Sequence, residues 1–305
     1  MQQKIRFPSD GLMLSGILSM PGEPANDVPC TAHPIVVLLH GFGANKEDHV
    51  LAITHALLDK LGYATLRFDM RGCGESEGER ARVLCEEQVR DTHNAVTWLL
   101  SRANIDASRI VVLGHSFGAA IAVYAAATDK RIAACVSSAG WGDGASKFRE
   151  QHASPQAWAK FTSMMEEGRA RSRAGEIMRV SRFDIVPIPQ HMRAGLPPGA
   201  FLDFPYEVVE SMFRFRPNDV VAQIAPRPLL LLHPSFDSVT PTTQSIELFR
   251  HAKMPVDLHL FAGIDHFIFD DENAMTFNLL RDWLAKNVAG QNETHQVLTS
   301  EGSGQ

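Results

Sequence analysis

Continuous apolar runs recur along this chain, separated by segments of mixed polarity. Ile35-Val36-Val37-Leu38-Leu39, Ile110-Val111-Val112-Leu113 and Leu229-Leu230-Leu231-Leu232 are the clearest. A strand with one face in water alternates apolar and polar residues, whereas a parallel strand buried on both faces reads as an unbroken apolar run. Strands are therefore predicted over 35–39, 64–68, 109–113, 132–138, 228–233 and 256–261. Between them the pattern predicts helices over 46–60, 86–101, 119–127 and 242–252. A last helix over 273–288 carries Phe277, Leu280, Trp283 and Leu284 at helical spacing. At the N-terminus, 4–7 and 12–20 read as two strands turned at Ser9-Asp10-Gly11, a hairpin signal. Alternating strands and helices with short connections imply an α/β fold, a doubly wound and mostly parallel sheet of the eight-stranded type.

One stretch breaks this rhythm. Roughly 80 residues, 141–223, separate two consecutive core strands where a helix and two turns would suffice. The stretch is rich in Met, Arg and aromatic residues, and Pro187, Pro189, Pro197, Pro198 and Pro205 exclude one long helix. It is expected to be a largely helical cap over the carboxyl ends of the strands, where open α/β sheets bind ligands, and to supply the substrate-binding residues. The expected organisation is thus a core over 1–140 and 224–290, a cap over 141–223 and a flexible tail over 291–305. Residues 21–34 read as a Pro-rich connector.

Composition narrows the partners. A net charge of −6 leaves no basic footprint for nucleic acid or an anionic membrane. No apolar run approaches the ~18 residues that span a bilayer, and the first residues lack the apolar region of a signal peptide, so a cytoplasmic address is expected. Cys30, Cys73, Cys85 and Cys135 form no C-x-x-C pair and read as reduced thiols; Cys73 reads as an incidental buried one. Asn292-Glu293-Thr294 matches a glycosylation acceptor and is read as chance. No P-loop, complete dinucleotide fingerprint or zinc spacing is present, so no cofactor and no metal are expected. A homo-oligomer is left open by the prospect of an exposed cap or edge strand.

The chemistry concentrates at Gly114-His115-Ser116-Phe117-Gly118, a G-x-S-x-G pentapeptide with a strand before it and an Ala-rich helix after it. A serine on a sharp strand-to-helix turn has its hydroxyl pushed clear of the sheet. Ser116 is the expected nucleophile. It needs a base, and the base needs an orienting acid. Among 13 histidines, His266 is chosen because its loop follows the last core strand and reaches the carboxyl edge where Ser116 stands. His115 is expected to point away from the Ser116 hydroxyl, and His233, His251 and His259 to be structural. Asp237, just past the 228–233 strand, is the expected acid, with Asp143 as its rival; Asp265 is read as solvated or turn-forming. The oxyanion hole is expected from the backbone N–H of Phe117 and that of Phe42, in His40-Gly41-Phe42-Gly43.

These residues, with Asn45-Lys46-Glu47, Asp69-Met70-Arg71-Gly72-Cys73-Gly74-Glu75-Ser76 and Gly263-x-x-His266, resemble the α/β-hydrolase superfamily. The nearest likeness is to its feruloyl/cinnamoyl-esterase and dipeptidyl-peptidase-like members. The resemblance implies an oxyanion donor at Phe42 and a structural role for Asp69 and Arg71. It implies a serine hydrolase acting on a small-molecule carboxylic ester through an acyl-serine. An amidase, peptidase, thioesterase or carbon–carbon bond hydrolase would use the same residues, and a non-catalytic hydrolase-fold binding protein is the alternative of another class.

Overall fold

In a computed structural model, which describes residues 1–22, 32–269 and 274–288, the apolar runs become the centre of an eight-stranded sheet. The strands are β1 (Gln2–Ser9), β2 (Leu12–Ser19), β3 (His33–Leu39), β4 (Ala64–Phe68), β5 (Ile105–His115), β6 (Ala134–Ser138), β9 (Leu229–Pro234) and β10 (Val256–Phe261), and their spatial order is β1-β2-β4-β3-β5-β6-β9-β10. The pairs β1–β2 and β2–β4 are antiparallel and the rest parallel. The hairpin turns at Asp10 and Gly11, whose φ values of 48° and 82° are those of a primed turn.

The alternation hidden inside the apolar runs divides the core in two. Val37, Leu39, Val112 and Leu231 face one side, packed with α2 (Cys85–Leu99), α3 (Phe117–Thr128) and α8 (Thr243–His251). Val36, Leu38, Val111, Val136 and Leu230 face the other, packed with α1 (His49–Lys60) and α9 (Ala274–Asn287). Each strand residue therefore buries a side chain whichever way it points, which is why no polar residue interrupts the runs. Truncating any one of them, Leu231→Ala for example, is expected to cost about 2–5 kcal/mol.

Elements sit within a few residues of their expected places. Helix α1 begins at His49 rather than Lys46, because Asp48 caps it by accepting from the Val50 N–H while Lys46 is held outside. Both the Lys46 N–H and its ammonium donate to the buried Asp69 carboxylate, at 2.6 and 2.7 Å. Arg71 in turn makes a buried pair with Asp91 and reaches Asp10. Cys73, Cys85 and Cys135 are buried free thiols. The connector over 23–31 with Cys30, the Asn292 acceptor, the tail over 291–305 and the start of the last helix at Asn273 lie outside the described residues.

Between β6 and β9 run α4 (Gly144–Gln151), α5 (Pro155–Arg173), β7 (Arg179–Ser181), α6 (Arg182–Ile185), β8 (Asp203–Pro205) and α7 (Tyr206–Arg214), with short 3₁₀ turns. The stretch is mostly helical, as its sequence suggests. The antiparallel pair β7–β8 was not foreseen; at three residues a strand it carries no readable period.

Candidate active site

Ser116 stands between β5 and α3 with φ 56° and ψ −117°. A left-handed conformation at a non-glycine residue costs of order 1–3 kcal/mol and survives only where its surroundings fix it. Here they do. The Ser116 N–H donates to the Ser138 carbonyl at 2.8 Å, and the turn is squeezed on both sides. A Cβ on Gly114 would come within 2.0 Å of the Gly118 oxygen, and one on Gly118 within 2.3 Å of the Leu39 oxygen. The two glycines of the pentapeptide are therefore demanded by close backbone approach.

His266 and Asp237 meet this serine. The His266 Nε2 lies 2.9 Å from the Ser116 hydroxyl and its Nδ1 2.8 Å from the Asp237 carboxylate. A carboxylate only accepts, so Nδ1 carries the proton and Nε2 is left to accept from Ser116. The other Asp237 oxygen accepts from the Val239 and Thr240 N–H groups at 2.7 and 2.8 Å. Burial alone would raise the Asp237 carboxyl, but the facing His266 and the hydrogen bonds from His233 and His266 hold it well below the usual carboxylate range. His233 is buried behind it, its Nε2 donating to the Thr240 carbonyl at 3.0 Å and its Nδ1 accepting from Ser245 at 2.7 Å. Asp143, the rival acid, instead caps α4 and pairs with Arg216 at 2.8 Å.

One neighbour behaves otherwise than expected. Asp265 is half-buried and accepts from the Ser238 N–H and hydroxyl, at 2.8 and 2.7 Å, and from the His266 N–H at 2.7 Å. It thus ties the loop carrying the acid to the loop carrying the histidine, a link between separate loops that no local pattern announces. The His115 ring packs 5.0 Å from the His266 ring. Burial, and then the facing His266, push His115 well below the ordinary histidine range, so it stays neutral there.

The loop after β3 lies against the serine, with a Cβ placed on Gly41 at 3.9 Å from the Ser116 Cβ. Buried His40 secures the loop: its Nε2 accepts from the Met70 N–H, which leaves Nδ1 to donate to the Gly41 carbonyl at 2.9 Å. Phe117 is the first residue of α3, where an N–H has no acceptor within its own helix. Phe42 is fixed from the 141–223 stretch. Arg182 donates to the Phe42 carbonyl at 2.6 Å, and the Phe42 and Phe204 rings stack 4.1 Å apart. The Phe201 N–H donates to the Gly43 carbonyl at 3.0 Å and Asn45 to the Pro198 carbonyl at 2.8 Å.

The same stretch walls a cavity of about 50 Å³ in which Gly41, Phe42, Ser116, Phe117 and His266 are exposed to one another. Val186, Ile188, Met192, Leu196 and Met212 supply an apolar wall, and Lys147 and Arg182 bring cationic groups. Both are buried, and neither was singled out from the sequence. Five of the other arginines of the stretch pair with carboxylates: Arg169 and Arg214 with Glu210, Arg171 with Glu167, Arg179 with Asp203 and Arg216 with Asp143 and Asp219. Among the described residues no helix is long and apolar enough to cross a membrane.

Comparison with known proteins bears on the family and the fold. The chain is 27% identical to the polyketide transferase grgF of a Penicillium species over 294 residues, covering 92% of this chain and 94% of that protein. The crystal structure of GrgF superposes with a TM-score of 0.76 at 23% identity, covering 95% of this chain and all of that one. A thiohydrolase, aneE of Aspergillus aculeatus, is 29% identical over 282 residues, 84% of this chain and 83% of its own. Est1E of Butyrivibrio proteoclasticus, solved with ferulic acid bound, matches in fold with a TM-score of 0.66 at 20% identity, over 94% of this chain and 100% of that one. The family model described as serine aminopeptidase, S33, matches residues 31–273. The chain belongs to that family of α/β hydrolases.

Proposed function

We propose that this protein is a serine hydrolase that cleaves a carboxylic ester through an acyl-serine intermediate. The observation that carries the reading is the hydrogen-bonded series from Ser116 through His266 to Asp237. In the first step His266 Nε2 takes the Ser116 proton as the oxygen attacks the substrate carbonyl, and Asp237 stabilises the imidazolium that forms. The oxyanion is held by the Phe42 and Phe117 N–H groups. His266 then gives its proton to the leaving alcohol. In the second step it takes one from water, which attacks the acyl-serine, and Ser116 leaves with that proton. The 141–223 stretch acts as the cap, walling off the acyl group and holding the Phe42 loop in place.

A thioester is the second reading, supported by the thiohydrolase relative. The same residues would serve, since only the leaving group differs. The test is a panel of p-nitrophenyl esters of graded acyl length beside matched thioesters and anilides, with Ser116→Ala as the control. Turnover of esters by the wild type and not by the variant supports the reading. Equal turnover by both overturns it, and a panel in which thioesters alone react moves the assignment to the second.

A further inference from the structure

Lys147 lies on α4 with 2% of its surface exposed, and its Nζ has no hydrogen-bond partner among the described residues. It sits 4.2 Å over the Phe148 ring and 5.4 Å from the centre of the Trp141 ring, and among the described residues no carboxylate pairs with it. The ionisable side chain that acts on it is the thiol of Cys85, and its own charge acts in turn on the imidazole of His152; both groups are buried. Burying an unpaired ammonium is among the most expensive things a fold can do, and a leucine or methionine would fill the space at no such cost. Burial has pushed Lys147 down to about 7, so it meets a ligand as an amine or an ammonium, and either form donates. A second unpartnered donor, the Arg182 Nε, is buried on the same cavity. Beyond Ser116 and His266, the polar side chains that share the cavity are Asp48, which accepts from the Val50 N–H, His115 and Thr240; the rest of the wall is apolar.

We propose that Lys147 anchors an acceptor oxygen on the acyl group, so that the cavity takes keto- or carboxy-substituted acyl chains in preference to plain alkyl ones. The inference rests on the hydrolase reading and names its substrate class. The acyl group is the part in question because it alone stays in the cavity through both steps, held by Ser116 while the leaving group departs. Its methylenes meet the Ile188 and Met212 wall, and its far oxygen takes the hydrogen bond that the fold leaves Lys147 without. A plain chain in the same place would keep the donor buried and unpaired.

The test compares p-nitrophenyl hexanoate, 5-oxohexanoate and the glutarate monoester with the wild type and with Lys147→Met. The expected ratio of kcat/KM for the better oxygen-bearing acyl over hexanoyl is about tenfold or more in the wild type, falling to about one in the variant. A ratio within one preparation does not depend on how much of the variant is folded. The 5-oxo and glutaryl arms tell whether a keto oxygen or a carboxylate is taken. A wild-type ratio near one, or a ratio unchanged by Lys147→Met, overturns the proposal. So does a preference that follows oxygen in the alcohol instead of the acyl group. Calorimetric binding of 5-oxohexanoate, glutarate and hexanoate to Ser116→Ala needs no turnover. If no ester is cleaved the hydrolase reading falls, and tighter binding of either oxygen-bearing acid over hexanoate, lost when Lys147→Met is added to Ser116→Ala, still decides the role of Lys147.

Discussion

The sheet core and the 141–223 stretch achieve burial by different means. In the core, the apolar runs 35–39, 110–113 and 229–232 of strands β3, β5 and β9 bury every side chain against one of two helical layers, with no polar side chain to satisfy. The stretch brings charged groups inward. Arg182 is buried, holding the Phe42 carbonyl, and Lys147 is buried with no hydrogen-bond partner among the described residues. A fold that spent its stability only on packing would have neither. On the proposed function, the core positions the reacting groups and the stretch sets what surrounds them.

The sharpest break between the two regions is expected at the serine. Ser116→Ala should lower kcat by about 10⁶-fold while leaving the circular dichroism spectrum and melting curve near those of the wild type. Asp237→Asn should cost about 10⁴-fold, since the amide cannot hold the His266 tautomer. Asp143→Asn, which touches only the α4 cap and Arg216, should stay within about tenfold. The reverse ranking in steady-state assays would place the acid on the wrong side of the site.

Reaching into the stretch, Arg182→Met removes the donor to the Phe42 carbonyl from a residue that belongs to no core strand. A loop displaced by about 1 Å costs on the order of 10²-fold. The loss should fall on kcat, with KM little changed, because the loop serves the transition state. A change in KM alone would make Arg182 a binding residue and the stretch a wall only.

The smallest expected effect is on stability. Lys147 binds its proton more weakly folded, at about 7, than unfolded, at 10.5. Between those values the unfolded chain holds the extra proton, so native stability rises with pH there; below about pH 7 the full penalty is present. Lys147→Met should therefore stabilise the protein below pH 7 by an amount on the order of a few kcal/mol. The gain should shrink through pH 8 and 9 and vanish near 10.5. In the folded protein Cys85, pushed up to about 12, and His152, pushed down by burial, hold their charge states through that window, and titration of the unfolded Cys85 thiol is common to both proteins and cancels in the difference. Denaturant melts across the range check it, and a pH-independent difference would mean Lys147 finds a partner in the folded state.

The same contrast explains what could be read from the chain. Buried parallel strands announce themselves as apolar runs, and the Asp10-Gly11 turn by its residue types. Gly114 and Gly118 are local signs of a serine held between strand and helix. His266 and Asp237 were found because strand order fixes which loops share an edge. The Arg182–Phe42 and Asn45–Pro198 contacts join residues more than a hundred positions apart and leave no periodic trace. Asp265 escaped for the same reason: its partner, Ser238, lies across two loops. Lys147 is one lysine in a short polar helix, and only its surroundings distinguish it from a solvated one.

The claim that Ser116 is an activated nucleophile is tested most directly by labelling the folded protein with a fluorophosphonate and locating the adduct by mass spectrometry. The account predicts one adduct, on the peptide containing Ser116, lost in Ser116→Ala and strongly slowed in Asp237→Asn. No adduct on folded wild-type protein, or an adduct that persists in Ser116→Ala, would contradict it.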